Sequence, residues 1–553
     1  MAAAKLRIGL LNDDTWLAPE IAELVRWARR RDDMEVSHLL LHPAPRDPDA
    51  GRLDPIKRIV RKHGVLGTAS RVSFRVLTLL ESRALKAQGL AAQDVDLTGD
   101  IPHQLVFSPQ VSGSGYVYRF PDEDIAAIRD AGIDVLIRCG TGILKGDILT
   151  ATPFGILSFH HGDNRVNRGG PPGFWEVQKR WPSTGFVIQQ LTEELDGGHV
   201  LARGNYPTER YFAANRRNIV QRSAPHLKEV LSRLAQERTL PEPLPATPYS
   251  GPLLRTPGLA DQLRYAARQT RLVAVRGGRR LLGLRSDWAV AYVRRDWRNA
   301  VLRRGRELPA PPGTFLADPF VIERNGAHFC FVEEYSYTEN KAVISVFMLG
   351  DKDAERVGVA LDEPFHLSFP ALFEHSGELY MCPETLGAND IRFYRCTDFP
   401  LGWELAGTAI DNIQACDTLV FPHAGKWWLL TTVDQARTGT PTAELWAFSA
   451  DSPFSDWEPH PMNPLRNDTD SARNAGLLRD GEELFRVTQR HGFAHYGAAA
   501  TIRRIRHLGA EGLIEEEIAE ITPDFRPDIH GAHHLHSDGK VTVFDFVRHR
   551  RPR

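Results

Sequence analysis

Several features that would assign a chain at once are missing here. The 553 residues include only five cysteines, Cys139, Cys330, Cys382, Cys396 and Cys416, and no two are spaced as a CxxC pair. This scatter argues against a zinc or disulfide framework and reads as reduced thiols in a cytoplasmic protein. No apolar run reaches the ~18 residues of a membrane-spanning helix. The apolar stretch that follows Met1 is too short for a secretory leader. An excess of charge is also absent: 68 basic residues face 70 acidic ones, for a net charge of −2. That balance gives no electrostatic footprint of a nucleic-acid binder. No Gly-x-Gly-x-x-Gly follows the first strand-like run, so a nicotinamide cofactor is not expected.

The chain is too long for a single core, and at least two domains are expected. Leu6 to Leu11 is apolar enough for a buried parallel strand. Ile21, Leu24, Val25 and Ala28 have helical spacing, and residues 36–41 read as a second strand. This β-α-β opening predicts a doubly wound α/β domain. Arg52 to Lys86 mixes Arg and Lys with Ile, Val, Leu and Phe. It reads as an inserted amphipathic helical pair with a basic face, a candidate patch for anionic lipid headgroups or a nucleotide-linked substrate. A helix over 121–132, a buried strand over 134–140 and a helix over 215–234 complete a first domain, 1–238. The Pro-rich stretch 239–258 reads as a linker, and a basic helix-like segment continues to 284.

Within this domain, residues 155–198 carry the chemistry. An apolar run, Ile156 to Phe159, ends in His160 and His161. Arg168-Gly169-Gly170-Pro171-Pro172, Trp175, a strand-like 184–188 and the turn Leu195-Asp196-Gly197-Gly198 follow. Ligand sites of open α/β sheets collect at the carboxyl ends of strands. An imidazole placed there suits proton transfer near neutral pH.

Gly155, Ser158, His160, Arg168-Gly169, Pro172, Trp175, Thr184-Gly185 and Leu195-Asp196-Gly198 fall in one register, with 36 residues from His160 to Asp196. The pattern resembles the amino-terminal domain of folate-dependent formyltransferases. The resemblance implies a formyl donor, 10-formyltetrahydrofolate, and a catalytic trio of His160, Asp196 and Ser158. The family has Asn where this chain has Ser158, and a hydroxyl offers a single donor. The resemblance further implies a pterin pocket along Arg138, Gly140, Gly142, Ile143 and Leu144. It puts His161, Asp163, Arg168 and Trp175 on the acceptor side. The acceptor is expected to be a small primary amine or a nucleotide- or lipid-linked amino sugar, as in surface glycan or glycolipid biosynthesis.

The carboxy-terminal half, 285–553, repeats. Strand, Gly-turn, strand units recur around Gly326, Gly377, Gly425, Gly481 and Gly539, spaced 48–58 residues apart. That period suits four-stranded blades, and five repeats predict an all-β five-bladed propeller. Trp288 to Val293 is a candidate strand to close the ring. Phe315 to Phe320, His366 to Pro370, Pro383-Glu384, Ala472 to Gly476, Phe485 to Gln489, Tyr496-Gly497 and Gly531 to Leu535 resemble the amino-terminal domain of glucosamine inositolphosphorylceramide transferases. More distantly, they resemble the five-bladed glycosidase and fructosyltransferase clan. Asp318, Glu334, Glu384, Asp417, Arg473 and His533 are the candidate funnel residues. In the second sheet, Ser368 and Pro370 stand where that clan would have a carboxylate. Trp427 and Trp428 read as core. The alternative reading is a carbohydrate-active or glycan-binding propeller that carries a degenerate formyltransferase domain. No metal site is expected.

Overall fold

The computed structural model describes residues 5–43, 54–87, 93–113, 116–194 and 197–551, with backbone alone for 54–59 and 61–63. The chain divides into two compact units, Met1–Gln269 and Thr270–Arg553.

The first unit is organised on seven strands: β1 (Leu6–Asn12), β2 (Met34–Leu41), β3 (His103–Val106), β4 (Val135–Arg138), β5 (Ile156–His160), β6 (Ser183–Gln190) and β7 (His199–Pro207). Their order across the sheet is β7-β6-β5-β4-β1-β2-β3. Strands β1 to β5 are parallel, while β6 and β7 add antiparallel edges. Both faces of the centre are covered, which is why β1 and β4 are apolar without alternation. The helix Pro19–Arg29 starts with Pro at its first turn and buries Ala22, Leu24, Val25 and Ala28. The helix Phe212–Glu237 packs on the β6–β7 side. The chain direction across the sheet reverses between β1 and β4, so a crevice is expected at their carboxyl ends.

The inserted segment is helical over Asp54–Ala87 and breaks at Gly64, whose φ of 68° ends one helix and starts another. The Pro-rich 239–258 is not a free tether. Leu253–Leu254 pairs with Arg168–Gly169, and the Leu244 N–H donates to the Val200 carbonyl at 2.7 Å. Prolines cannot continue a helix, and the Leu244 N–H finds its acceptor on β7 instead.

Among the described residues, strands dominate the second unit and form five sheets. Four are meanders over 314–361, 368–410, 415–459 and 474–521. In the fifth, Arg285–Val293 pairs antiparallel with Thr542–Arg550 along its whole length. The beginning and end of this unit therefore share a sheet, as expected for Trp288 to Val293. One strand from each sheet contacts one from the next in a closed circuit: 314–324, 368–375, 415–423, 474–480, 535–537 and back to 314–324. The hairpin glycines Gly326, Gly377, Gly425 and Gly481 all have left-handed φ. Trp428 is buried in the core between sheets, with Leu430, Leu445 and Phe421. The five cysteines are free thiols.

Candidate functional site

His160 ends β5, paired with Val187 on β6. Its Nε2 lies 3.2 Å from the Asn167 carbonyl oxygen. The buried Asn167 side chain donates to Glu176 Oε1 at 2.8 Å. Burial raises the Glu176 carboxyl above the usual carboxylate range, against the pull of the Asn167 bond and of His160. Glu176 was not foreseen. Its signal in the sequence is a charge within the otherwise apolar helix run Phe174 to Val177. Ser158 aligns with Arg138 on β4, and its hydroxyl donates to the Phe159 carbonyl at 3.2 Å. Asp196 lies outside the described residues.

The pocket residues taken from the resemblance are held by the chain itself. Arg138 is buried and reaches the carbonyls of Leu11 and Thr141 and the ring of His42. Asp13 Oδ1 sits 3.3 Å from His42 Nε2 and 3.6 Å from Arg138. Burial, then the nearby Arg138 charge, pushes His42 down to about 4, with Asp13 opposing. Asp13, His42 and Arg138 thus form a polar cluster after β1, after β2 and on β4, at the reversal of strand order. Among the described residues, Arg138 Nε and His42 Nδ1 have no hydrogen-bond partner. The two glycines do not leave bare surface. A Cβ on Gly140 would lie 2.5 Å from Asp13 Oδ1, and one on Gly142 would lie 2.3 Å from the Tyr118 ring. The flat ring resting on Gly142 is therefore the chain's own. Leu144 is buried in the core with Phe120 and Ile148. Ile143 forms a short strand with Val117. A cavity of about 550 Å³ lies at the opposite, amino-terminal end of β4, lined by Asp134, Thr150 and Gln190. It is remote from His160 along the strand direction.

On the expected acceptor side, the His161 ring stacks on Phe159 with centroids 5.4 Å apart. Burial, followed by the His160 and Arg216 charges, holds His161 at about 3 and hence neutral. Asp163 is committed to Arg165 at 2.6 Å, with Arg203 at 3.7 Å. Arg168 donates to the Asn164 carbonyl and lies over the Tyr249 ring. The Trp175 ring N–H donates to the Arg255 carbonyl at 3.1 Å. Arg168 and Trp175 thus anchor the Pro-rich segment. That correction was unreadable without knowing where the segment docks.

A second cluster lies where the inner strands of the second unit converge. Asp318 and Asp417 occupy equivalent bulges with φ of 50° and 52°, and Phe369 occupies the matching position in the sheet between them at 46°. Non-glycine residues rarely hold this conformation, and it gathers at functional sites. The residue that matches Asp318 and Asp417 at the second bulge is thus Phe369, not Ser368 or Pro370. The Phe369 ring packs on Phe320 and His534. Glu384, directly across from Ser368, supplies that sheet's carboxylate. Glu334 does not join the cluster, because two hydrogen bonds from Arg356 hold it at 2.7 and 3.0 Å. Strand side chains alternate, and its neighbour Glu333 faces inward, 3.5 Å from His366.

His533 bridges two carboxylates, with Nδ1 2.8 Å from Asp545 and Nε2 3.4 Å from Asp318. Arg473 Nε donates to Asp417 at 2.5 Å, and its guanidinium lies over Tyr496. Arg486, on the strand Glu483–Gly492, pairs with Glu515 at 2.7 Å. Burial works against every charge here, and the outcomes diverge. Asp318 stays below the ordinary range because His534, His533 and Arg473 outweigh its burial. Burial followed by the Asp417 charge pushes Glu384 up to about 8, with Arg473 opposing. Glu333 rises well above the usual range by burial and by the charges of Asp318 and Glu384. The donor atoms of Asp318, His533 and Asp545 lie close enough to share a cation, as do those of Glu384, Cys416 and Asp417. Asp545 sits in a strand that reads as an apolar repeat, Glu333 lies one residue from the candidate Glu334, and His534 follows the candidate His533 between two short strands.

A family model described as glucosamine inositolphosphorylceramide transferase 1, N-terminal, matches residues 305–529. Glucosamine inositolphosphorylceramide transferase 1 of Arabidopsis thaliana is 35% identical over 220 residues, which cover 39% of this chain and 28% of that protein. A methionyl-tRNA formyltransferase of Deinococcus radiodurans is 35% identical over 83 residues, 15% of this chain and 26% of that protein. Similar solved structures include a glycinamide ribonucleotide transformylase from Symbiobacterium toebii (16% identity, 43% of this chain, 91% of that chain, TM-score 0.28). Another is a family 117 glycoside hydrolase from Zobellia galactanivorans (13% identity, 47% of this chain, 90% of that chain, TM-score 0.31). The chain thus spans little more than a quarter of the length of the curated relatives it matches, and both of these relatives are transferases by name.

Proposed function

We propose that the protein is an N-formyltransferase that moves a formyl group from 10-formyltetrahydrofolate to a primary amine, borne by an amino sugar in glycan or glycolipid assembly. The observation that carries this reading is the setting of His160. It ends a central strand of an open parallel sheet, beside the reversal of strand order. Its Nε2 faces a carbonyl, which can only accept, so that nitrogen carries a hydrogen. The similarity to a methionyl-tRNA formyltransferase supports the same assignment. In this reading the amine nitrogen bonds to the formyl carbon, the bond to the folate nitrogen breaks, and His160 takes the amine proton and passes it to that departing nitrogen. Asp196 orients the imidazole, and Ser158 turns its hydroxyl from the Phe159 carbonyl to the developing oxyanion. Asp13, His42 and Arg138 offer polar atoms to the donor's heterocycle. The second unit serves as a five-bladed propeller that holds the sugar. The test is release of tetrahydrofolate by the full chain on addition of glucosamine-bearing acceptors. Its absence with every amine tried, while the folded chain still binds a sugar, would refute the reading.

A second reading is favoured by Glu384 and Asp318. An acid protonated up to about pH 8 near a carboxylate kept ionised is the division of labour that glycoside chemistry uses. Glycan cleavage or transfer that is lost in Asp318→Asn and retained in His160→Ala would select it.

A further inference from the structure

We propose that the outward face of the helix over residues 64–87 docks the chain on the headgroup layer of an anionic lipid bilayer. The inward face of this helix is fixed. Phe74 packs edge-on against Phe174, with centroids 5.3 Å apart, and also against Phe212. Ser73 Oγ donates to Gln262 at 2.7 Å. Glu81 accepts from the Tyr265 hydroxyl and from the Ala213 N–H. The helix cannot roll to hide its other side without breaking these contacts.

That other side is apolar. Val65, Leu66, Val72, Val76, Leu79 and Leu80 are each between 50 and 76% exposed. From Val72 onward their spacing is i, i+4, i+7, i+8, which keeps them on one face of an α-helix. A contiguous apolar stripe of this kind marks an interaction surface, whereas scattered exposed residues do not. The accompanying charges identify the partner. Arg71, Arg75, Arg83 and Lys86 are exposed along the same segment. Glu81, the one acid between residues 64 and 87, is turned inward. An apolar stripe flanked by cations alone, with flexible arginine stems that reach up to headgroups, fits an anionic membrane surface. A second copy of the same face would bring arginine against arginine, which disfavours self-pairing. No helix among the described residues is long and apolar enough to cross a membrane, so the contact is peripheral.

The test is co-sedimentation of the full chain with vesicles of phosphatidylcholine alone or mixed with phosphatidylglycerol. Binding is expected to the mixed vesicles and to weaken as salt rises. Val76→Asp with Leu80→Asp should lower partitioning at least about tenfold. Arg75→Glu with Arg83→Glu should abolish the preference for the anionic lipid. These four side chains face solvent, so thermal unfolding of both variants should match the parent. Parent protein left in the supernatant with the mixed vesicles would overturn the proposal. So would equal partitioning of the aspartate variant, or a dimer seen by light scattering that this variant dissolves.

Discussion

His160 and Asn167 are joined through the imidazole Nε2 and the Asn167 carbonyl, 3.2 Å apart. Asn167 is itself fixed by Glu176 at 2.8 Å. The link sets the tautomer of a histidine whose role in proton transfer depends on which nitrogen carries hydrogen. His160→Ala should therefore lower turnover by about 10²- to 10⁴-fold, the usual contribution of a general acid–base group. The unfolding transition should stay close to that of the parent. Steady-state kinetics beside a denaturation curve separate the two effects.

The placement of the ring can be tested without removing it. A Cβ on Gly162 would lie 3.0 Å from His160 Nε2 and 3.4 Å from the Asn167 carbonyl oxygen. Gly162→Ala should push the imidazole by a few tenths of an ångström. Misplacement of reacting groups lowers kcat more than it weakens binding. A loss of kcat of about tenfold with KM nearly unchanged is expected. Full activity in this variant would mean that the ring position is not what limits the reaction.

Gly142→Ala probes the fold. This glycine has φ of 85°, and its missing Cβ would lie 2.3 Å from the Tyr118 ring. Left-handed backbone costs an alanine roughly 1–2 kcal/mol, and overpacking adds roughly 1–3 kcal/mol. A loss of about 2–4 kcal/mol is expected from urea titration. Tyr118→Ala in the same chain should recover part of it.

The parts of this architecture that local pattern controls were readable in advance. Unalternated apolar runs gave β1 and β4, and the glycines at 326, 377, 425 and 481 gave the hairpins. Long-range partners were not readable. The sequence reading names Glu334, but a one-residue step along a strand flips the face, and it is Glu333, paired with Ala317, that turns toward the funnel. Arg168 and Trp175 looked free to meet a substrate until the Pro-rich segment was found against them. Gly140 and Gly142 suggested open backbone, but Asp13 and Tyr118, far away in sequence, occupy that space.

Arg486 shows the same dependence on distant partners, and it is fully buried. It donates twice to Glu515, at 2.7 and 2.8 Å, and also to Asn474 and to the Ser471 carbonyl. Arg486→Met should cost about 3–5 kcal/mol, because it takes both hydrogen bonds from the buried Glu515 carboxylate and leaves it Arg466 at 3.8 Å. Adding Glu515→Leu should restore much of the loss. A double variant no more stable than the single one would show that the arginine acts mainly through Asn474 and Ser471.

Glu384 gives the test with a definite sign. Burial, followed by the Asp417 charge, raises its carboxyl from 4.5 to about 8, against Arg473. Above 4.5 the unfolded chain releases this proton, while the folded chain retains it until about 8. The folded state therefore holds more protons across that window, and this group makes stability fall as pH rises through it. Glutamine mimics the protonated acid at every pH. Glu384→Gln should therefore unfold at about the parent's temperature near the lower end of the window and at a higher temperature near its upper end. Melting curves of parent and variant at the two ends measure the difference. A gap of the same size at both ends would mean that Glu384 is already ionised throughout, with Arg473 rather than burial governing it.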